Sequence, residues 1–160
     1  MVHSPVSVSR PDLDGVHHRR RDDVLIERPS SEFANCKKSY FLEKGTELKS
    51  SFPLPIGYAT KKVHKFDLGC EDQRIVVECK SYRWTAGGNS PSAKLRSMNE
   101  AMHIFAATPG HYRRLLVLSK HMRGRQSLGA HYVRTQEHLI APGVEVWELD
   151  EGAMTAERLA

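Results

Sequence analysis

Asp67, Glu78 and Lys80 have the residue types and spacing to do chemistry together. Glu78 and Lys80 are two apart, so on a strand they project from the same face. Pairing the stretch around Asp67 with the stretch around Glu78 sets the two acids opposite each other and leaves Glu71 to Arg74 as the loop, a common length for a hairpin. In that register Phe66 faces Cys79, Leu68 faces Val77 and Cys70 faces Ile75. All six are apolar and fall on one side, so burial specifies the register, since a one-residue slip would mix polar and apolar residues on both faces. Two carboxylates across a ladder have Cβ atoms roughly 5 Å apart and repel. A divalent cation held by oxygen ligands neutralises such a pair. It also polarises a phosphodiester oxygen and lowers the pKa of a bound water. Lys80 beside them could position or deprotonate that water. Together with the basic character of the chain, the three side chains point to metal-assisted hydrolysis of a nucleic-acid backbone. Without chemistry, they would be the solvated face of an ordinary hairpin. The acid in register across the hairpin, and the Gly-rich segment and helix that follow, favour the site.

Elements must flank this hairpin to hold it. Ser30 and Ser31 are capping residues for a helix carrying Phe33, Cys36 and Tyr40 and running on to Leu48, unless Gly45 splits it. Pro53 and Pro55 are expected to end it. Strands are predicted at Val63–Gly69 and Arg74–Tyr82, on either side of Glu71-Asp72-Gln73. After the segment Ala86 to Ser90, the Ser90-Pro91 pair suits a helix start, and Leu95, Met98, Ala101, Met102, Phe105 and Ala106 follow helical spacing. Arg114–Ser119 reads as a strand buried on both faces. A second helix is predicted over Ser127–Ile140 and a last strand over Val144–Leu149. This order predicts a mixed α/β layer fold.

At 160 residues the chain has room for one domain. Residues 1–29 show no sustained apolar period and read as a disordered or loosely attached segment, in which only Val24-Leu25-Ile26 could pack as an edge strand; residues 30–160 form the expected domain. The net charge is +5, from 24 Lys and Arg against 19 Asp and Glu. Residues 1–35 hold five Arg and six acids, so the remaining 125 carry 19 basic and 13 acidic residues, a net +6. The basic excess therefore belongs to the expected domain. The longest aliphatic run is Leu115–Leu118, far short of the roughly 20 residues a bilayer needs, so no membrane partner is expected. Three cysteines without a CxxC spacing, and no signal segment, exclude a disulfide scaffold or a four-cysteine zinc site and fit a cytoplasmic chain. The nine histidines form no HExxH or H-x-E pattern.

The residues Phe66-Asp67-Leu68, followed by Ile75-Val76-Val77-Glu78-Cys79-Lys80, resemble the PD-(D/E)xK nuclease superfamily. Lys44-Gly45-Thr46-Glu47-Leu48 resembles that family's first core helix. Phe66 stands where the family usually has Pro. The resemblance spans roughly residues 36–119, and more loosely the last helix and strand. It implies a restriction-endonuclease-like three-layer fold, a mixed central sheet flanked by helices in the order αβββαβ. It also implies that Asp67 and Glu78 ligate Mg²⁺ or Mn²⁺, with the Cys79 backbone carbonyl as a third ligand. Lys80 would orient the attacking water and help stabilise the pentacovalent phosphorus. Glu47 would reach the site from the first helix, directly or through a water, or bind a second metal; Glu43, one turn away, competes for that role.

Lys61, Lys62, Lys65, Arg83, Lys94 and Arg96 could contact phosphates or simply solubilise the surface. Trp84 could stack on a base, but fits better as a lid on the core edge. His103 reads as a helix-face residue, and Lys120-His121 could border the site. Cys79 faces the core, and Met98 and Met102 belong to it. The expectation is a Mg²⁺-dependent nuclease acting on DNA, with target choice supplied by a homodimer, the N-terminal segment or a targeting partner. The alternatives are a non-cleaving nucleic-acid-binding or assembly module on the same fold, and a hydrolase of another phosphate ester.

Overall fold

Period-two alternation on either side of a four-residue turn produces the expected hairpin, around which a larger sheet assembles. The computed structural model describes residues 37–41, 44–87, 89 and 91–160. The segment 1–29 with its Val24–Ile26 strand, the Ser30–Ser31 cap, Glu43 and the Ser90 cap lie outside these residues. In chain order the strands are β1 (Lys49–Ile56), β2 (Lys62–Cys70), β3 (Ile75–Lys80), β4 (Arg113–Ser119), β5 (Met122–Arg123), β6 (Gln126–Ser127), β7 (Val144–Asp150) and β8 (Thr155–Arg158). Helix α1 (Ser92–Ala106) joins β3 to β4, and α2 (Leu128–Gln136) with a short 3-10 turn leads to β7.

The main sheet has the order β1-β2-β3-β4-β7-β8, and β5 and β6 form a separate small ribbon. β3, β4 and β7 run parallel, while β1, β2 and β8 are joined antiparallel. The sheet is therefore mixed, as predicted. Its centre is buried on both faces: the first five residues of β3, all apolar but Glu78, and four consecutive residues of β4 are buried, as in interior parallel strands.

Two hydrophobic clusters flank the sheet. Met98, Ala101, Met102 and Phe105 of α1 and Leu128 and Tyr132 of α2 pack on one face with Phe52, Leu54, Phe66, Val76, Leu116 and Val146. Both helices lie on this face because both crossovers, β3 to β4 and β4 to β7, step the same way across the sheet. On the other face Leu48, Leu68, Ile75, Val77, Cys79, Leu115, Val117 and Leu149 cluster beneath Tyr40 and Phe41. Ser127 caps α2 by accepting the Ala130 N–H at 3.0 Å, which satisfies one of the first-turn donors.

The first predicted helix is corrected. Residues 37–41 are helical, but the Thr46 N–H returns to the Phe41 carbonyl at 2.9 Å and Gly45 takes φ +76°. This left-handed cap stops the helix. Residues 46–48 are irregular, and Pro53 and Pro55 sit inside β1, not at a helix end. They are tolerated because β1 is an edge strand, where a missing N–H on the solvent side breaks no ladder bond. Among the described residues no helix is long and apolar enough to cross a membrane.

Candidate active site

The predicted hairpin register is present: Leu68 pairs with Val77, Gly69 with Val76 and Cys70 with Ile75. The same register sets Asp67 level with Glu78, but the ladder stops before that pair. There the Asp67 carboxylate takes over, its Oδ2 accepting the Cys79 N–H at 2.7 Å. The side chain thus stands where a backbone carbonyl of β2 would otherwise accept. The N–H and C=O of one strand residue leave the strand on the same side. The Cys79 carbonyl is therefore directed toward β2 as well, on the Asp67 side.

One expectation about the faces fails. Leu68, Val77, Cys70, Ile75 and Cys79 share a face as predicted, but Phe66 packs in the opposite cluster. Its ring stacks on Phe105 of α1 with centroids 6.1 Å apart and planes 13° apart. Alternation breaks at Asp67 and, in β1, at its neighbour Ser51, which has φ +51°. The β1–β2 pairing keeps one register on both sides, from Ser50 with Leu68 to Phe52 with Phe66. Both strands therefore turn over together. The Phe52 ring crosses Gly69, where any Cβ would collide with it, so glycine is required by close approach.

This face switch brings His64 to the site. His64 lies edge-on against Phe66, with centroids 4.7 Å apart, and its Nε2 is 2.9 Å from Glu78 Oε1. The other Glu78 oxygen is 3.5 Å from Lys80 Nζ. Glu78 is 6% exposed, and burial pushes its carboxyl above the ordinary range despite the opposing pull of His64 and Lys80; the Asp67 charge pushes the same way as burial. For Lys80, burial favours the neutral form, but Glu78, Tyr82 and Asp67 outweigh it and the net shift is upward. A lysine held in its charged form can orient a water or steady a phosphate. Plain alternation would place His64 with Leu68 on the far face, so the sequence carries no signal for it without the switch.

The structure thus brings together Asp67, Glu78, Lys80 and His64, with the Cys79 backbone. Glu47 is not part of a helix: it is exposed in the link before β1. The Cys79 side chain is 1% exposed and burial raises its thiol to about 12 against the opposing pull of Lys37, so it is no nucleophile. Lys37 itself is 1% exposed. Among the described residues no group of three or more His, Cys, Asp or Glu side chains is placed to hold a metal ion.

The predicted phosphate contacts spread around one end of the sheet. Antiparallel pairing brings the Lys61–Lys62 start of β2 and the Arg83 segment after β3 to the same edge. Lys61 bonds the Gly57 carbonyl. Lys94 reaches the Arg83 carbonyl at 3.1 Å and lies 5.8 Å from the Tyr82 ring centroid, while Lys62, Arg83 and Arg96 are exposed. Trp84 packs against the edge of the first cluster. No protein-family model, curated protein or solved structure matches the chain.

Proposed function

We propose that this chain is a metal-dependent nuclease that hydrolyses phosphodiester bonds in DNA, built on a restriction-endonuclease-like version of the mixed α/β layer fold. The observation carrying the reading is the gathering of Asp67, Glu78 and Lys80 where β2 parts from β3. The donor set suits a hard cation: two carboxylates and one carbonyl, all oxygen, with coordination completed by water as Mg²⁺ prefers. Asp67, Glu78 and the Cys79 carbonyl would hold it. Bound there, Mg²⁺ or Mn²⁺ would supply polarisation of the phosphodiester and acidity for a water. Lys80 orients the attacking water and stabilises the charge gathering on the phosphorus oxygens. His64 fixes the Glu78 carboxylate by its 2.9 Å contact. The Asp67 position is fixed by the Cys79 N–H.

A non-cleaving nucleic-acid-binding module is the second reading, favoured by one observation: both Glu78 oxygens already face cations or donors of the chain. Incubating the protein with plasmid and linear DNA decides between them. Cutting in Mg²⁺ or Mn²⁺ but not in EDTA supports the nuclease. Binding without cutting in either metal supports the module.

A further inference from the structure

Beyond the carboxylate site lies a cleft that the proposed hydrolysis does not use. It measures about 320 Å³ and is lined by Trp84, Arg123, Gln126, His131 and Arg134. Its place in the fold suits a ligand. Trp84 is four residues past the end of β3, Arg123 and Gln126 sit on the β5–β6 ribbon that follows β4, and His131 and Arg134 lie on α2. Strands β3 and β4 are parallel, so the cleft opens beyond their C-terminal ends, where open α/β sheets place ligands.

Among the described residues the walls are basic. The Arg123 guanidinium lies 5.4 Å from the Trp84 ring centroid. On the same indole the His131 ring packs with centroids 4.9 Å apart, tilted by 57°. Arg134 Nη2 is 3.4 Å from His131 Nδ1. The Trp84 backbone N–H donates to His121 Nδ1 at 3.3 Å, which anchors the main chain at this point. Its own Nε1–H is buried and finds no acceptor among the described residues. Burial first, then Arg134 and Arg123, pull the His131 imidazole below its ordinary range, as expected where cations crowd together.

We infer that this cleft binds a phosphate group of a nucleic-acid strand, through Arg123 and Arg134, with His131 and Gln126 as further donors. Guanidinium groups match phosphate oxygens in fork geometry. With Trp84 covered by Arg123 and His131, the recognised feature is the backbone phosphate, not a stacked base. The anion follows from the cleft alone; its being part of a nucleic acid rests on the nuclease reading. A strand held here would be positioned by a contact separate from the carboxylate site.

Trp84 and Trp147 are the two tryptophans of the chain, so Trp147→Phe leaves an emission signal from the cleft alone. This variant is titrated in EDTA with a short oligodeoxynucleotide, single-stranded or duplex, and in parallel with an oligoglutamate peptide of equal charge. A saturable change in emission with the oligonucleotide, reversed by inorganic phosphate and weakened about tenfold by Arg123→Gln or Arg134→Gln, is the expected result. Both arginines are exposed, so the folded state should survive, as circular dichroism can verify. No emission change, or equal affinity in both Gln variants, overturns the cleft while leaving any metal-dependent cutting intact. Equal or tighter binding of the peptide overturns the nucleic-acid identity of the ligand. Cleft binding without cutting in Mg²⁺ or Mn²⁺ removes the nuclease reading and keeps the phosphate site.

Discussion

Replacing Phe66 and Phe105 by Leu, singly and together, tests the face switch that delivers Asp67 and His64 to the site. Both rings are 0% exposed and stack at 6.1 Å. Each single change removes buried aromatic area and should cost about 1–3 kcal/mol. Domains of this kind are stable by about 5–15 kcal/mol, so the double variant should still fold. An aromatic pair contributes about 0.5–1.5 kcal/mol beyond its buried area. The first substitution already forfeits that part, so the double variant should cost less than the sum of the singles by this amount. Urea unfolding in EDTA, followed by circular dichroism, measures all four corners of the cycle. Additivity within about 0.3 kcal/mol, together with coupling of Phe66→Leu to Val77→Ala, would place Phe66 on the face that simple alternation predicts. The geometry derived for His64 and Asp67 would then be wrong.

Other consequences can be measured separately. Gly69→Ala should destabilise by about 1–3 kcal/mol through overpacking against the Phe52 ring; an unchanged urea midpoint would contradict that close approach. Glu145 accepts from both Arg113 Nε at 2.6 Å and Nη2 at 2.8 Å, and the Arg113 hydrogen bond above all holds its carboxyl down at about 2. Its folded value lies below its unfolded value, so the stabilisation is present above about pH 4.5 and is lost as the pH falls toward 2. Arg113 is half-exposed, which limits the contribution to about 1 kcal/mol. Glu145→Gln should therefore be less stable than wild type at pH 7 and converge with it near pH 2 in urea titrations; a constant gap would refute the pairing.

The hairpin was legible because burial dictates it. Leu68, Val77, Cys70 and Ile75 can share a face in one register only, and that register sets Asp67 level with Glu78. Strands β4 and β7 and helix α1 were equally plain from aliphatic runs and from the spacing of Met98, Met102 and Phe105. The rest turned on backbone events that side-chain patterns do not announce. Pro53 and Pro55 read as helix stops, whereas an edge strand hosts them. A left-handed Ser51 reverses the faces of two paired strands, sending Phe66 to α1 and His64 to Glu78. Gly45 caps a helix early and leaves Glu47 exposed outside any helix. The short strand β8, with one half-buried residue, has too little apolar pattern to be seen.

DNA cleavage by wild type and by Asp67→Ala, Glu78→Ala and Lys80→Ala, in Mg²⁺ or Mn²⁺ and in EDTA, tests the proposed active site most directly. Removing one charged donor aimed at the reacting phosphate should lower the rate by about 10²–10³-fold or more. The proposed roles predict cutting by wild type in metal only, its loss in all three variants, and DNA binding nearly unchanged in Lys80→Ala. Metal-dependent cutting that persists at the wild-type rate in the three variants would contradict the assignment of the site.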